Sequence, residues 1–330
     1  MTTNGPGSPA RVGIVDLDVA FPGGRITVDQ MHESSGVSLP EILEITHCKQ
    51  FPVLDPQEQA WELAVDAAGT VLDRTGTDPA TISRVIYVGS GCWDLPFWSP
   101  AAKVADELGI TGAHCFEVVN FCNALTTGLG IAAGGIAPGS DERVLVVAGE
   151  RFSEVVDRFD PDSKGLFNFG DAAAAVLVGG SGHSFAYLAS SARTDPGWCD
   201  HYGGEYRDAG IRVRRRGNRQ GLAQAYTDNY VTLVDQTLKR AGRRLSDVRY
   251  LLVNQNDRNV QDRLLRALDL PPERSVFHHS ELGHMGCADT AIALRRVWDR
   301  GALDDGDLVL LATSGMGFSW SVTALQYRAG

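Results

Sequence analysis

Residues 116–130 read FEVVNFCNALTTGLG, and this stretch decides the fold because the chain repeats its outline. A strand is predicted over His114–Val119, and Cys122 then precedes a helix predicted over Asn123–Ile136, which is rich in Gly and Ala. An offset of 165 positions (249 minus 84), half of the 330 residues, relates four identical pairs without gaps: Arg84 and Arg249, Cys122 and Cys287, Val144 and Val309, and Leu145 and Leu310. We interpret this pattern as the internal duplication of one β-α-β-α-β unit.

The remaining elements follow the same order in both halves. Further strands are predicted at Arg11–Val19, Arg84–Gly89, Arg143–Ala148, Arg249–Val253, Ser275–His278 and Asp307–Ala312. Further helices are predicted at Asp55–Asp73, Pro100–Leu108, Val260–Leu268 and Cys287–Arg300. Strands that alternate with helices indicate an α/β protein with parallel sheets covered by helices. Two such halves are expected to pack face to face around a shared helical layer.

The composition excludes several classes of protein. Hydrophobic residues make up 43% of the chain, which is typical of a globular fold and argues against disorder. The 30 Lys and Arg residues against 41 Asp and Glu residues give a net charge of −11, which argues against a general nucleic-acid binder. The apolar runs are too short to cross a membrane, and the chain does not open with a secretory signal pattern. These features predict a cytoplasmic protein that binds neither nucleic acid nor membrane.

The cysteine and histidine spacing argues against both disulfides and metal. None of the six cysteines falls in a C-x-x-C pair, which is typical of a protein from a reducing compartment. The eight histidines do not cluster with cysteines at ligand spacing, so we expect no metal site.

Cys122 is the first candidate for chemistry. It lies between a predicted strand and a predicted helix, and free N–H groups at a helix start favour the thiolate, which is the nucleophile that acyl transfer requires. The alternative is a buried structural cysteine, which the spacing alone favours.

Glycine-flanked segments in the second half supply the other candidates. In Gly283-His284-Met285-Gly286, the imidazole of His284 lies in a loop before a helix, where a catalytic base could approach a ligand. Asp289 either orients His284 or caps the following helix. Gly315-Met316-Gly317 follows a predicted strand, and small residues there would let a backbone N–H reach a carbonyl oxygen.

Several motifs together resemble the β-ketoacyl-ACP synthase III family of the thiolase fold, over essentially the whole chain. Cys122 stands at the position of that family's acyl-accepting cysteine. FNFGDAAAAVLV (167–178) resembles its FGDGA segment, and Gly306-Asp307 with the segment 315–320 (GMGFSW) resembles its C-terminal motifs. The resemblance implies a five-layered αβαβα sandwich of two duplicated β/α halves, residues 1–179 carrying the nucleophile and residues 180–330 carrying its partners.

The chain departs from the family at two catalytic positions. The family has a histidine in an H-Q-A-N motif and an asparagine in a G-N motif, whereas this chain has Asn254-Gln255-Asn256-Asp257 and Gly283-His284. Histidine and asparagine have exchanged places, so the only strong base lies on the other side of the site. The resemblance then implies a catalytic set of Cys122, His284 and Asn254, with Asn254 as an orienting or polarising donor. The backbone N–H groups of Cys122 and Met316 would hold the oxyanion, although Met316 departs from the small residue usual there.

Further residues receive roles from the resemblance alone. Phe97 matches the aromatic residue that closes the pocket of the neighbouring subunit in a homodimer, and Gly315 and Gly317 would border the pocket. The donor would be a thioester on CoA or on the phosphopantetheine of an acyl carrier protein, with no bound cofactor. Basic residues would dock the acidic carrier protein: Arg212, Arg214, Arg215, Arg216, Arg258, Arg263 and Arg266. Solvated side chains are the alternative for each of these arginines.

Three functions are therefore compared. The sequence favours an acyltransferase that loads Cys122 and passes the acyl group to a hydroxyl or thiol acceptor. The acceptor would be a natural-product intermediate, a sugar or a second carrier protein. This hypothesis is favoured because some relatives in antibiotic pathways similarly lack the condensing arrangement. A decarboxylative condensing enzyme that tolerates the exchange is the second hypothesis. A non-catalytic partner subunit is the third, and the retained Cys122 weighs against it.

Overall fold

A computed structural model describes residues 12–136, 140, 142–207 and 210–329. The strands are β1 (Gly13–Ala20), β2 (Arg25–Thr27), β3 (Gln50–Pro52), β4 (Ile82–Gly89), β5 (His114–Val119), β6 (Arg143–Gly149), β7 (Ala173–Gly179), β8 (Phe185–Thr194), β9 (Tyr202–Arg207), β10 (Gly210–Arg215), β11 (Val248–Val253), β12 (Leu308–Gly315) and β13 (Ser319–Tyr327). The helices are α1 (Val28–Ser35), α2 (Leu39–Thr46), α3 (Ala60–Thr75), α4 (Pro100–Glu107), α5 (Ala124–Gly135), α6 (Leu222–Ala241), α7 (Arg258–Ala267) and α8 (Asp289–Asp299).

Nine strands form one sheet in the order β11-β12-β13-β8-β1-β7-β6-β4-β5. Only two residue pairs join β1 to β8, so the sheet consists of two parts that meet along this short seam. The prediction of parallel sheets holds for β4 with β5 and β6 and for β11 with β12. The sequence did not predict β7 and β13 as strands, and they run antiparallel to β6 and β12. Neither of these two strands follows an α-helical crossover, which a parallel neighbour requires.

The helices occupy three layers, and this confirms the predicted five-layered α/β sandwich. Helix α5 contacts β4, β6 and β7 on one side and β12 and β13 on the other, while α8 contacts β1, β11 and β12. Helix α3 covers β1, β6 and β7, and α6 covers β8 and β13. The small residues of α5 have a steric reason, because a Cβ at Gly128 would lie 2.7 Å from Val88 and 2.9 Å from Val146.

Helix α3 begins five residues later than the predicted Asp55. The side chain of Glu58 accepts hydrogen bonds from the N–H groups of Asp55 and Gly23 and thereby holds residues 55–58 in a turn. The helix starts at Ala60 because its first N–H groups donate to Asp94, which is distant in sequence (Ala60 N–Asp94 Oδ1, 2.9 Å). A cap of this kind satisfies donors that the helix itself leaves unpaired.

The predicted strand at Ser275–His278 is wrong. This segment forms no strand and pairs with none of the strands of the described chain. Two buried amide side chains bind its backbone instead: Gln255 and Gln261 both donate to the carbonyl of Val276 (3.1 and 3.0 Å), and Gln255 Oε1 accepts from the N–H of His278. Side chains can satisfy the hydrogen-bonding groups of a backbone in place of a neighbouring strand, and the apolar pattern of a sequence does not show where this happens.

Three of the predicted docking arginines, Arg212, Arg214 and Arg215, lie in the strand β10. β9 and β10 form an antiparallel hairpin that pairs Ile211 with Tyr206.

Within the described ranges, no helix combines the length and the apolar character needed to cross a membrane.

Candidate active site

Cys122 lies at a sharp turn between β5 and α5. Phe121 adopts a left-handed conformation (φ +50°), which is strained for a residue with a side chain, and the short 3-10 turn Phe121–Asn123 leads directly into the helix. Cys122 is 6% exposed. Its partner in the repeat, Cys287, lies in the equivalent 3-10 turn Gly286–Ala288 before α8.

A buried hydroxyl cluster fixes this turn to the other half of the molecule. The side-chain carbonyl of Asn123 accepts hydrogen bonds from Thr126 of its own helix (3.0 Å) and from Thr313 and Ser321 of β12 and β13 (2.5 and 2.6 Å). Buried polar groups that are all partnered specify one arrangement of the elements that carry them. The position of Cys122 therefore depends on strands that follow it by about 190 residues.

The backbone of β12 approaches the same turn. A Cβ at Gly315 would lie 2.6 Å from the carbonyl oxygen of Asn120, so only glycine fits at this position. Gly315 was predicted as a pocket residue, and the structure gives it the further task of allowing two backbones to come together.

His284 contacts the thiol directly. Its Nε2 lies 3.1 Å from Cys122 Sγ, although 162 residues separate them in sequence. Its Nδ1 lies 2.6 Å from Asp289 Oδ2. An ionised carboxylate only accepts hydrogen bonds, so Nδ1 carries the proton and donates it to Asp289, while Nε2 faces the sulfur.

Asp289 is completely buried and has three further polar neighbours. Its Oδ2 also accepts from the N–H of Gln255 (2.6 Å), and its Oδ1 accepts from the N–H of Met285 (2.8 Å). His278 Nε2 lies 3.8 Å from Oδ1. Burial alone would raise the pKa of Asp289, but His284 and His278 outweigh burial and hold it well below its usual range. Of the two alternatives considered for Asp289, only the contact with the imidazole is realised, because the N-terminus of α8 has no side-chain cap and the N–H groups that donate to Asp289 lie outside this helix.

The backbone and two aromatic rings orient His284. Its N–H donates to the carbonyl of Asn168 (2.7 Å), and its carbonyl accepts from Gly170 (3.0 Å). The stacked rings of Phe152 and Phe169 both meet the imidazole edge to face, with centroids 5.4 and 5.3 Å away. Sequence reasoning missed both rings, although Phe169 lies in the FNFGDA segment.

The charges around His284 favour its protonated form. Burial lowers the pKa of His284, but the neighbouring Cys122 and Asp289 outweigh burial and raise it to about 10. An imidazolium beside Cys122 is the partner that a thiolate nucleophile needs. Cys287 has the opposite environment, since burial and the adjacent Glu150 raise the pKa of its thiol well above the usual value.

Asn254 lies in the same cavity but has other partners. Its Oδ1 accepts from the hydroxyl of Tyr230 (3.1 Å), and its Nδ2 is 3.5 Å from the carbonyl of Ser314. The group that contacts the imidazole is Asp289, and the role of Asn254 as an orienting or polarising donor stays a prediction.

These residues line a cavity of about 650 Å³. Cys122, Asn254, His284, Gly315 and Met316 all border it, whereas the predicted pocket residue Gly317 does not. Phe97 does not border it either. It is fully exposed, and its predicted role in closing the pocket of a neighbouring subunit stays a prediction.

The predicted docking arginines have different surroundings. Arg214 is largely buried and forms ion pairs with Asp157 (2.8 Å) and Asp160, so it is removed from the docking set. Arg212 donates to the carbonyl of Glu154 (2.7 Å). Arg215 is exposed and lines the cavity. The others are exposed or half-buried: Arg216, Arg258, Arg263 and Arg266.

The described residues contain no group of three or more His, Cys, Asp or Glu side chains that could hold a metal ion.

Comparison with known proteins gives the following matches. Residues 116–196 match the profile described as 3-oxoacyl-[acyl-carrier-protein] synthase III, and residues 238–327 match the profile of its C-terminal part. A β-ketoacyl-[acyl-carrier-protein] synthase III from Streptomyces coelicolor is 30% identical over 96% of this chain and 97% of its own length.

Solved structures share the fold. The 3-oxoacyl-[acyl-carrier-protein] synthase III of Aquifex aeolicus superposes with a TM-score of 0.85 at 23% identity, covering 96% of this chain and 100% of its own. The priming β-ketosynthase from the R1128 polyketide pathway gives a TM-score of 0.85 at 23% identity, covering 98% of each chain.

Proposed function

The chain belongs to the 3-oxoacyl-[acyl-carrier-protein] synthase III family, and from that premise we propose that it is an acyltransferase which loads an acyl group onto Cys122 and passes it to a hydroxyl or thiol acceptor. Family members transfer acyl groups from thioesters of acyl carrier protein or CoA and need no further cofactor. The acceptor class and the lack of carbon–carbon bond formation are the specific parts of the proposal.

One observation carries the proposal: His284 contacts Cys122 on one side and Asp289 on the other. A nucleophile, a base and a carboxylate that orients the base make up the arrangement of hydrolases and acyltransferases. In this arrangement the base can abstract a proton from an attacking hydroxyl, which a condensing enzyme does not require.

In the loading step, the Cys122 thiolate attacks the carbonyl carbon of the donor thioester and forms a new C–S bond. The backbone N–H groups of Cys122 and Met316 are proposed to hold the resulting oxyanion, since both residues border the cavity. Collapse breaks the C–S bond to the carrier, and the departing thiolate takes the proton from His284 Nε2.

In the transfer step, His284 acts in the reverse direction. Acylation removes the charge of Cys122, which is one of the groups that raise the pKa of His284. The neutral imidazole then takes the proton of the acceptor hydroxyl or thiol, whose oxygen or sulfur attacks the acyl-cysteine. The tetrahedral intermediate releases Cys122 as a thiolate beside the imidazolium, so the proton balance closes over one cycle.

A decarboxylative condensing enzyme is the second candidate function, and the names of the relatives favour it. It would require Asn254 and His284 to polarise a malonyl thioester from exchanged positions. Release of CO₂ with formation of a β-ketoacyl product would establish this function in place of the first. Asn254→His combined with His284→Asn restores the family order, and we expect that double variant to gain malonyl decarboxylation that the unmodified protein lacks.

The donor is proposed to be an acyl carrier protein or CoA, and the acceptor a natural-product intermediate, a sugar or a second carrier protein. The exposed arginines near the cavity, with Arg215 on its wall, support a negatively charged donor.

The test is intact-mass analysis after incubation with a panel of acyl-CoAs and acyl carrier proteins. We expect the mass of one acyl group on the protein, no adduct on Cys122→Ala, and an unchanged adduct on the control Cys199→Ala, which removes an exposed thiol away from the cavity. His284→Ala should slow transfer more than loading. A protein that acquires no acyl group from any carrier-bound or CoA-bound donor would be a non-catalytic partner.

A further inference from the structure

Behind the site lie two buried histidines that the proposed reaction does not use. His278 is completely buried and His279 is 3% exposed, and in both rings neither nitrogen has a hydrogen-bond partner. Buried polar groups without partners are rare in folded proteins and call for an explanation. His279 meets the ring of His47 edge to face (5.6 Å), and His47 borders the cavity.

His278 has one polar neighbour within reach. Its Nε2 lies 3.8 Å from Asp289 Oδ1, about 1 Å beyond hydrogen-bond distance. That oxygen accepts one hydrogen bond, from the N–H of Met285, and a carboxylate oxygen has a second lone pair. A small rotation of the imidazole would therefore give Asp289 two imidazole donors, His284 on Oδ2 and His278 on Oδ1.

We propose that His278 is a positioning residue that donates to Asp289 and thereby sets the basicity of His284. The proposal rests on the proposed function, because a neutral His284 is needed only for transfer. Asp289 raises the pKa of His284, which favours the imidazolium needed in loading but opposes the free base needed in transfer. A second donor on the carboxylate weakens that effect, since the negative charge is then shared between two N–H groups.

The other charged and titratable groups near this pair come from neighbouring elements. His47 lies at the end of α2, and Arg258, Asp257 and Asp262 lie at or near the start of α7, where they act electrostatically on His47. Burial, together with His278, lowers the pKa of His279 to about 3, so His279 is neutral at physiological pH. His278 is the histidine of this group that reaches the carboxylate.

The variant His278→Phe keeps an aromatic ring at this position and removes the donor. When the single-turnover rate of transfer is measured against pH, we expect the rise on the acid side to move up by about one pH unit. Transfer at neutral pH should then slow about tenfold, while the plateau at high pH is unchanged. His278→Gln retains a donor and should restore the profile. His279→Phe is the matched control, equally buried on the neighbouring residue, and should leave the rise on the acid side in place.

A second measurement does not depend on acyl transfer. The ¹⁵N chemical shifts of the His284 ring, followed against pH in the unloaded protein, report its titration directly, and His278→Phe should raise the midpoint by a similar amount. An unmoved midpoint would overturn the proposal, as would equal shifts in His278→Phe and His279→Phe or no rescue by Gln. If no acyl-enzyme forms at all while the midpoint moves, the proposed function fails and the role of His278 toward Asp289 stands.

Discussion

A carboxylate that accepts from Nδ1 decides which nitrogen of His284 faces the sulfur. Asp289 does this from the first turn of α8, and the N–H groups of Gln255 and Met285 hold it in place. The distance of 3.1 Å between His284 and Cys122 brings the predicted nucleophile and base together. Their identities could be predicted because the motifs that carry them are local. For the partner of His284, the sequence left two roles open for Asp289, orienting the imidazole or capping α8, because only three-dimensional packing shows which group meets Nδ1.

The first prediction concerns the charge of Asp289. Asp289→Asn keeps the shape but removes the negative charge that raises the pKa of His284. The imidazolium is then lost at lower pH, so the fall of the loading rate on the alkaline side should move to lower pH. The loading rate itself should decrease by about 100-fold or more. Release of the carrier thiol in a single turnover, measured against pH, gives both quantities.

The control for this variant is Asp299→Asn, at the opposite end of the same helix, where the carboxylate pairs with Arg295 (2.6 Å). Its profile should match that of the unmodified protein. A fall on the alkaline side that stays in place in Asp289→Asn would show that Asp289 does not act on His284.

Strands β12 and β13 meet the turn around Cys122 through long-range contacts, which the sequence pattern of each element does not show. The strands and helices of the duplicated unit could be predicted because each has its own apolar pattern. The start of α3 could not, since it depends on Asp94 from another loop, and neither could the irregular segment bound by Gln255 and Gln261. In both cases the structure of the segment is set by a side chain distant in sequence and not by the pattern of its own residues.

The second prediction concerns the contact between β12 and the turn before α5. Gly315→Ala places a methyl group 2.6 Å from the carbonyl oxygen of Asn120 and must displace one of the two backbones. We expect a loss of about 1–3 kcal/mol in the free energy of unfolding and a marked loss of loading rate. Gly112→Ala, where a Cβ meets open space, should change stability by less than about 0.5 kcal/mol. Denaturant unfolding and acyl loading measure the two effects, and equal stability of both variants would contradict this prediction.

The third prediction concerns the arginines of β10 and α7. Arg215→Glu with Arg266→Glu should raise KM for a carrier-bound donor, because both side chains are exposed and would face an acidic partner. Lys239→Glu with Arg244→Glu changes the net charge equally at an exposed site outside the cavity lining and should leave KM unchanged. Steady-state kinetics at low and physiological salt make the comparison. Identical KM values for the two double variants would remove these arginines from the docking surface.

At the scale of the whole molecule, one edge of the sheet is open. β5 is the outermost strand, and apolar side chains are exposed on it and near it: Leu95 (54%), Phe97, Val119 (55%) and Ile131 (39%). An unpaired edge strand with exposed apolar neighbours is a surface that proteins normally cover. The homodimer that the sequence resemblance implies would cover it and would carry Phe97 to the second chain.

The fourth prediction follows from this surface. Light scattering should give the mass of two chains, and Val119→Lys should raise the concentration needed for association by at least about tenfold, because lysine on an edge strand opposes pairing. Phe159→Ser, which removes an aromatic ring that is 80% exposed outside this surface, should leave the mass unchanged. A single-chain mass for the unmodified protein would contradict the prediction.

The hydrogen bonds of Asn123 to Thr313 and Ser321 have a consequence for the life of the protein in a cell. A ribosome exposes Cys122 long before it has made His284 or the strands that seat the reactive turn. Until those residues are made, the thiol lacks the histidine beside it and its final geometry. Residues up to Ser321 must therefore be synthesised before the turn around Cys122 can take its folded geometry.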